Sequence, residues 1–204
     1  LDNSGADIWV VQQGTLGPYA EPSSLNDSTW RSLRALPGVQ DAANVTYLTM
    51  QVQRLAGNTG ISGAATAIND VRAMVVGIAP GGSGTPGWPP YLVAGRQITR
   101  SHYEAVADIA SGLALGERIQ IRRNSYTVVG LTRRMVSSGG DPMVFIPLKD
   151  AQAAQFLRDN DALWQSRHRT AANPAFNRPG VPGLLDAVIA SQSANTSVNA
   201  VLVR

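Results

Sequence analysis

Residues 113–130 read Leu-Ala-Leu-Gly-Glu-Arg-Ile-Gln-Ile-Arg-Arg-Asn-Ser-Tyr-Thr-Val-Val-Gly, and this block limits the fold more than any other part of the chain. Its order predicts a helical segment stopped at Gly116, an alternating strand near residues 118–122, a polar turn, and a second strand near residues 126–133 carrying Val128 and Val129. None of these side chains is an obvious chemical group. The block reads as scaffold, and it favours a module that holds or transmits over one that catalyses.

The rest of the chain alternates between strands and helices. Residues 6–13 place Ile8 and Val10 on one face and Trp9 and Val11 on the other, the pattern of a strand apolar on both sides. Asn26 or Asp27 can cap a helix carrying Trp30, Leu33 and Leu36, which Pro37 and Gly38 stop. Val45, Tyr47, Val52 and Leu55 sit at strand-like positions, and residues 72–79 form a short buried strand. Between them, residues 56–69 are small and polar and predict a loop or hairpin tip. Residues 80–90, Pro-Gly-Gly-Ser-Gly-Thr-Pro-Gly-Trp-Pro-Pro, fit no regular element and mark a lobe boundary.

Beyond that connector, residues 91–96 begin a second lobe. The capping box of Ser101 and Glu104 predicts a helix with Tyr103, Val106, Ile109 and Leu113 on one side. After the hairpin block come a turn over residues 137–142, a strand over 143–147 and a helix over 149–160. Residues 167–183 hold three prolines and little periodicity, and residues 184–190 read equally as a short helix or strand. The last residues, 199–204, are strand-like, so both ends of the chain fall in strands that can lie side by side.

Composition excludes several classes. The 204 residues suffice for one large domain or two small lobes. The net charge of +3 is carried by arginine, with Lys149 the only lysine, and the arginines stand singly or in pairs such as Arg122-Arg123 and Arg133-Arg134. There is no basic run with interleaved aromatics, so no nucleic-acid partner is expected. The absence of cysteine removes disulfides, zinc ribbons and thiol catalysis. No run reaches the roughly 18 apolar residues of a membrane span, and the start, Leu1-Asp2-Asn3-Ser4-Gly5, reads as the middle of a longer protein.

Candidate chemistry is sparse. Gly82, Gly84 and Gly87 match G-x-G-x-x-G, but Pro86, Pro89 and Pro90 forbid the helix whose N-terminus a dinucleotide phosphate needs, so the stretch reads as a flexible connector. His102 and His168 are the only imidazoles, they form no i, i+4 pair, and a surface or capping role suits them better than a metal. No G-x-S-x-G elbow occurs, although a Ser-His-Asp site assembled from distant residues stays open. Asp141 reads as a turn residue and Asp150 as a favourable charge in a helix's first turn, with Glu117 isolated in a turn. Asn26, Asn44 and Asn195 begin tripeptides of the glycan-acceptor pattern. No catalytic, cofactor-binding or metal-binding residue is assigned. The candidate partner or substrate contacts are Trp88 in the connector, Tyr91 just after it, and Trp164 with Arg167; the plainer reading of the two tryptophans is that each plugs the edge of a small core.

Taken in order, Asp7-Ile8-Trp9-Val10-Val11-Gln12, Leu92-Val93-Ala94-Gly95-Arg96, the 113–130 block and Val144-Phe145-Ile146-Pro147-Leu148 resemble the extracytoplasmic domain of ABC transporter permeases of the MacB and FtsX-like superfamily. The Asp-Ile-Trp-Val-Val start, followed by Gly14-Thr15 and Gly17-Pro18, is most similar to the DevC-like branch. The resemblance implies an α+β fold of two lobes. A porter-like lobe would take residues 1–80 and a returning strand in 191–204, with a sabre-like lobe inserted over residues 81–190. It also implies a periplasmic location between membrane helices of an inner-membrane permease and no cofactor. The implied partners are a cognate ABC ATPase subunit that hydrolyses ATP, a second permease copy and a HlyD-type adaptor. The implied function is contact with substrate or adaptor and relay of ATP-driven motion, termed mechanotransmission. The rival expectations are a secreted α/β hydrolase-like enzyme, which needs His102 or His168 joined to a serine and a carboxylate, and a non-catalytic extracellular binding or scaffold module.

Overall fold

The longest element is a strand of 14 residues, β3 (Ala42–Leu55), and the sheet is organised along it. Its first six residues are buried and the rest alternate, because its start is covered on both faces and its end on one. The computed structural model describes residues 4–15, 23–55, 70–82, 84–155 and 197–204. Before β3 come β1 (Ile8–Val10), β2 (Leu25–Asn26) and the helix α1 (Thr29–Arg34). After it come β4 (Val71–Ile78), β5 (Leu92–Gly95), β6 (Glu104–Asp108), β7 (Arg118–Ile121), β8 (Asn124–Thr132) and β9 (Met143–Pro147). The helix α2 (Leu148–Gln155), β10 (Ser197–Val198) and β11 (Ala200–Val203) complete the described chain.

Nine of these strands form one mixed sheet, ordered β1-β11-β3-β4-β9-β6-β8-β5, with β7 paired to both β3 and β8. That double pairing closes a hydrogen-bonded circuit through β3, β4, β9, β6, β8 and β7. A hydrophobic cluster including Val52, Val75, Ile119, Tyr126, Val128 and Ile146 lies against this circuit, together with Ala151 and Ala154 of α2. A second cluster packs Tyr47, Val76, Phe145 and Leu202 against Trp88, Ile98 and Met135, which lie outside the strands. Alternate residues of β4 enter the two clusters, Val75 the first and Met74 and Val76 the second, as strand geometry requires. Trp30 and Leu33 of α1 rest on a third cluster with Val198, Val201 and Leu148.

Two close approaches fix the layers. Gly77 in β4 faces Ala151 so tightly that a Cβ there would collide with the Ala151 Cβ, which brings α2 directly onto the sheet. Gly95 and Gly130 are register partners of β5 and β8. A Cβ on Gly130 would strike the Arg96 carbonyl oxygen, and Arg96 N–H donates to Val129 O at 2.9 Å.

The α+β class, the 118–132 hairpin, the strand at residues 143–147 and the irregular connector at residues 80–90 agree with expectation. The first and last described strands lie side by side, Ile8 opposite Val203. The residues assigned to the two lobes are joined by two pairings, β4 with β9 and β3 with β7, so they share one sheet.

The helix expected from Ser101 to the glycine at 116 is absent. The residues read as a helix from the Ser101 capping box form β6 and a short 3-10 turn, Ile109–Ser111. Instead of capping a helix ahead of it, the Glu104 carboxylate turns back to the Thr99 and Arg100 N–H groups. Tyr103 takes a positive φ of 64°, off any helical path, and every residue of β6 is buried between β8 and β9. The segment before the hairpin is likewise a turn at Leu115 and Gly116, where the Gly116 N–H bonds Val128 O at 2.8 Å. The expected loop at residues 56–69, the end of the α2 helix beyond residue 155, and residues 156–196 lie outside the described residues.

Candidate functional site

Parallel neighbours leave a crevice where their carboxyl ends stop together, because the chains then diverge. Here β4 and β9 are parallel and end level, Ile78 opposite Pro147. Past Ile78 the chain enters the proline-glycine connector; past Pro147 it turns at once into α2. The gap between them is a groove of about 450 Å³, floored by Ile78, Trp88, Ile98, Pro147 and Leu148. The Trp88 indole N–H donates to Ala79 O at 3.0 Å, which fixes the ring in the floor. Thr99, Arg100, Ser101 and Lys149 form the polar rim. Among the described residues, Arg100 and Lys149 are the only ionisable ones lining this groove, and both are cationic.

An adjoining basin of about 540 Å³ shares Ala79, Pro80, Leu148 and Lys149 with the groove and continues over α1. Its charges largely answer one another. Lys149 Nζ lies 3.4 Å from Asp27 and Arg34 lies 3.9 Å from Asp41, while the Arg31 guanidinium sits 5.6 Å from the Trp30 ring centroid. Exposed pairs of this kind contribute little stability, so the cations remain free to exchange partners.

The rim segment, residues 96–104, is held by one buried carboxylate. Glu104 accepts from the Arg96 guanidinium at 2.5 and 3.0 Å and from the Thr99 and Arg100 N–H groups at 2.9 and 3.0 Å. The Arg96 bonds first, then the two backbone N–H groups, hold its pKa down from 4.5 to about 2 against the opposing effect of burial. A second tie joins this segment to α2. His102 Nδ1 lies 2.5 Å from Asp150 Oδ1, and Tyr103 N–H donates to Asp150 Oδ2 at 3.0 Å. Burial, followed by the Asp150 charge, pushes the Tyr126 phenol well above its ordinary value.

Trp88 is buried at 5% exposure and lies in the groove floor. Tyr91 is half exposed, with the Arg133 guanidinium 6.0 Å from its ring centroid, and stands just before the edge strand β5, outside the groove lining. Trp164, Arg167 and His168 lie outside the described residues. Asn44 is buried and its amide donates to Asp27 O at 2.7 Å, which removes it as a glycan acceptor. Among the described residues, no serine hydroxyl hydrogen-bonds to His102, and Asp150 is committed to His102 and Tyr103. The groove and the Glu104 clamp were missed in the sequence; the signal available was the pair of strand ends at residues 78 and 147, both followed by proline or helix.

The fold and groove define an α+β module with an apolar, cation-rimmed cleft and no assembled catalytic set among the described residues. The family model of the MacB-like periplasmic core domain matches residues 1–178, and the chain belongs to that family. It is thus a periplasmic domain of a MacB-like ABC transporter permease. Among solved structures, the extracellular domain of the noncanonic ABC-type transporter YknZ from Gram-positive bacteria is similar with a TM-score of 0.51 and 11% identity, over 96% of this chain and 81% of that one. The periplasmic region of MacB from Actinobacillus actinomycetemcomitans aligns at a TM-score of 0.47 and 15% identity, over 71% of this chain and 67% of that one. No curated protein sequence matches the chain. Among the described residues, no helix is long and apolar enough to cross a membrane.

Proposed function

We propose that this domain relays motion from the membrane part of its permease to the outer face, where it contacts substrate or adaptor. ATP hydrolysis then belongs to a cognate nucleotide-binding subunit, and a second permease copy supplies the surface against which the domain moves. A HlyD-type adaptor is the outward partner of this reading.

The observation that carries it is the reach of β3. At roughly 3.3 Å per residue, its 14 residues span about 45 Å. Its first residues pair β11, which pairs β1, while its last pair β7 of the hairpin. A displacement applied near residues 7 and 204 therefore passes along one hydrogen-bonded strand to the opposite end of the sheet. Relay needs such a stiff path, since packed elements shift as units rather than deform.

The chain itself holds no cysteine, so a cysteine introduced into it is the one labelling site within the domain. A spin label at Leu115→Cys, an exposed turn residue at the far end, is placed in the whole permease reconstituted with its ATPase. The distance between labels on two permease copies is expected to change between ATP-bound and nucleotide-free states. An unchanged distance during active transport would show that the motion does not reach this end.

A further inference from the structure

The groove at the ends of β4 and β9 has a definite chemical character. Its floor is apolar, and among the described residues its only ionisable lining groups are Arg100 and Lys149, with no carboxylate. Both cations are exposed and loosely paired, Arg100 at 3.7 Å from Glu104 and Lys149 at 3.4 Å from Asp27. Glu104 is already saturated by Arg96 and two backbone N–H groups, so releasing Arg100 from it sacrifices little.

Its position adds a second constraint. β4 and β11 both run antiparallel to β3, so Ile78 and Val203 point to the same end of the sheet, and Ile8 lies opposite Val203. The groove therefore opens at the end that carries residues 7 and 204. In the reading of this domain as part of a membrane permease, that is the end nearest the bilayer.

We infer that this groove binds an anionic lipid-like amphiphile, with an alkyl chain along Trp88, Ile98 and Leu148 and its headgroup between Arg100 and Lys149. An apolar floor alone would accept any chain, and two cations alone any anion; the combination selects molecules carrying both. The location of the floor between strand ends, beside the membrane-facing end, suits a ligand arriving from the outer surface of the bilayer. The assignment of ligand class rests on the permease reading for that route, not for the chemistry of the groove.

The test titrates dodecyl phosphate, as monomers, into the chain, with dodecyl maltoside and inorganic phosphate as separate arms, following heat and the amide NMR shifts of Ala79, Ile98 and Lys149. Dodecyl phosphate is expected to bind at least about tenfold more tightly than either control, the gain of one charge-assisted contact pair. Arg100→Gln with Lys149→Gln should remove most of that preference while leaving residual chain binding. Ser101→Trp, at an exposed rim position with the fold undisturbed, should block the groove to all three probes. Equal binding of the maltoside, equal binding of bare phosphate, or no saturable shift at these amides would each overturn the inference. The spin-label distance is independent of all three arms, so a moving label with no alkyl phosphate binding refutes the ligand class and leaves the relay standing.

Discussion

Two buried polar side chains organise segments that lack regular structure of their own. Glu104 gathers residues 96–104 around one carboxylate, and Glu104→Gln is expected to destabilise the chain by about 2 kcal/mol at neutral pH, the loss of charge-assisted bonds to a half-exposed arginine. Because its pKa is depressed on folding, this stabilisation is complete above about 4.5 and vanishes as the pH falls through about 2. Urea unfolding of both proteins across that window should therefore show the difference shrinking toward zero in acid. Asn199 does the same for the β10–β11 corner. Its fully buried carboxamide accepts from Thr46 Oγ1 at 2.8 Å and Tyr47 N–H at 3.0 Å and donates to Ser23 O at 2.9 Å. Asn199→Ala leaves those partners unsatisfied and should lower stability by about 3 kcal/mol, measured by thermal or urea unfolding.

At the scale of elements, α2 and β4 meet in direct contact. Gly77→Ala sets two methyl groups in the same space and should destabilise the chain by roughly 2 kcal/mol. Adding Ala151→Gly should restore part of that loss despite its own helix penalty, and a double-mutant cycle would show a favourable coupling. Elements of this kind were legible in the sequence where alternation was strong. The hairpin, β4 and β9 announce themselves through β-branched and apolar runs closed by glycine or proline. β6 does not, because Glu-Ala-Val-Ala-Asp carries no strand signal and its spacing mimics a helix stripe. Only its burial on both faces, a property of the neighbours β8 and β9, makes it a strand. The groove was hidden for a similar reason. Trp88, Ile98, Arg100 and Lys149 are scattered over 60 residues, and only the parallel pairing of β4 with β9 brings them together. Tyr91 and Trp88 lie three positions apart in sequence, yet one is on an exposed edge and the other in the core.

At the scale of the whole molecule, the sheet has both a closed part and an open part. The circuit through β3, β4, β9, β6, β8 and β7 has no free edge, whereas β1 and β5 end the sheet on either side. β1 is short, with three register pairs to β11, and among the described residues no strand pairs with its other side. The two strands run antiparallel with residues 7 and 204 at the same end. Forces that carry both ends in one direction load the whole sheet evenly. Forces that part them act on the β1 hydrogen bonds one after another, as in opening a zipper, and the resistance is that of a single bond at a time. Stretching the isolated chain between its ends in optical tweezers should accordingly release β1 first, at low force, before any of the closed circuit yields. Cysteines at the facing positions Val10 and Val201, once oxidised, should carry the load across the crosslink, so that neither the full release of β1 nor the yielding of the closed circuit is seen until the disulfide is reduced. A sheet built this way holds when its first and last strands are moved together and yields when they are drawn apart.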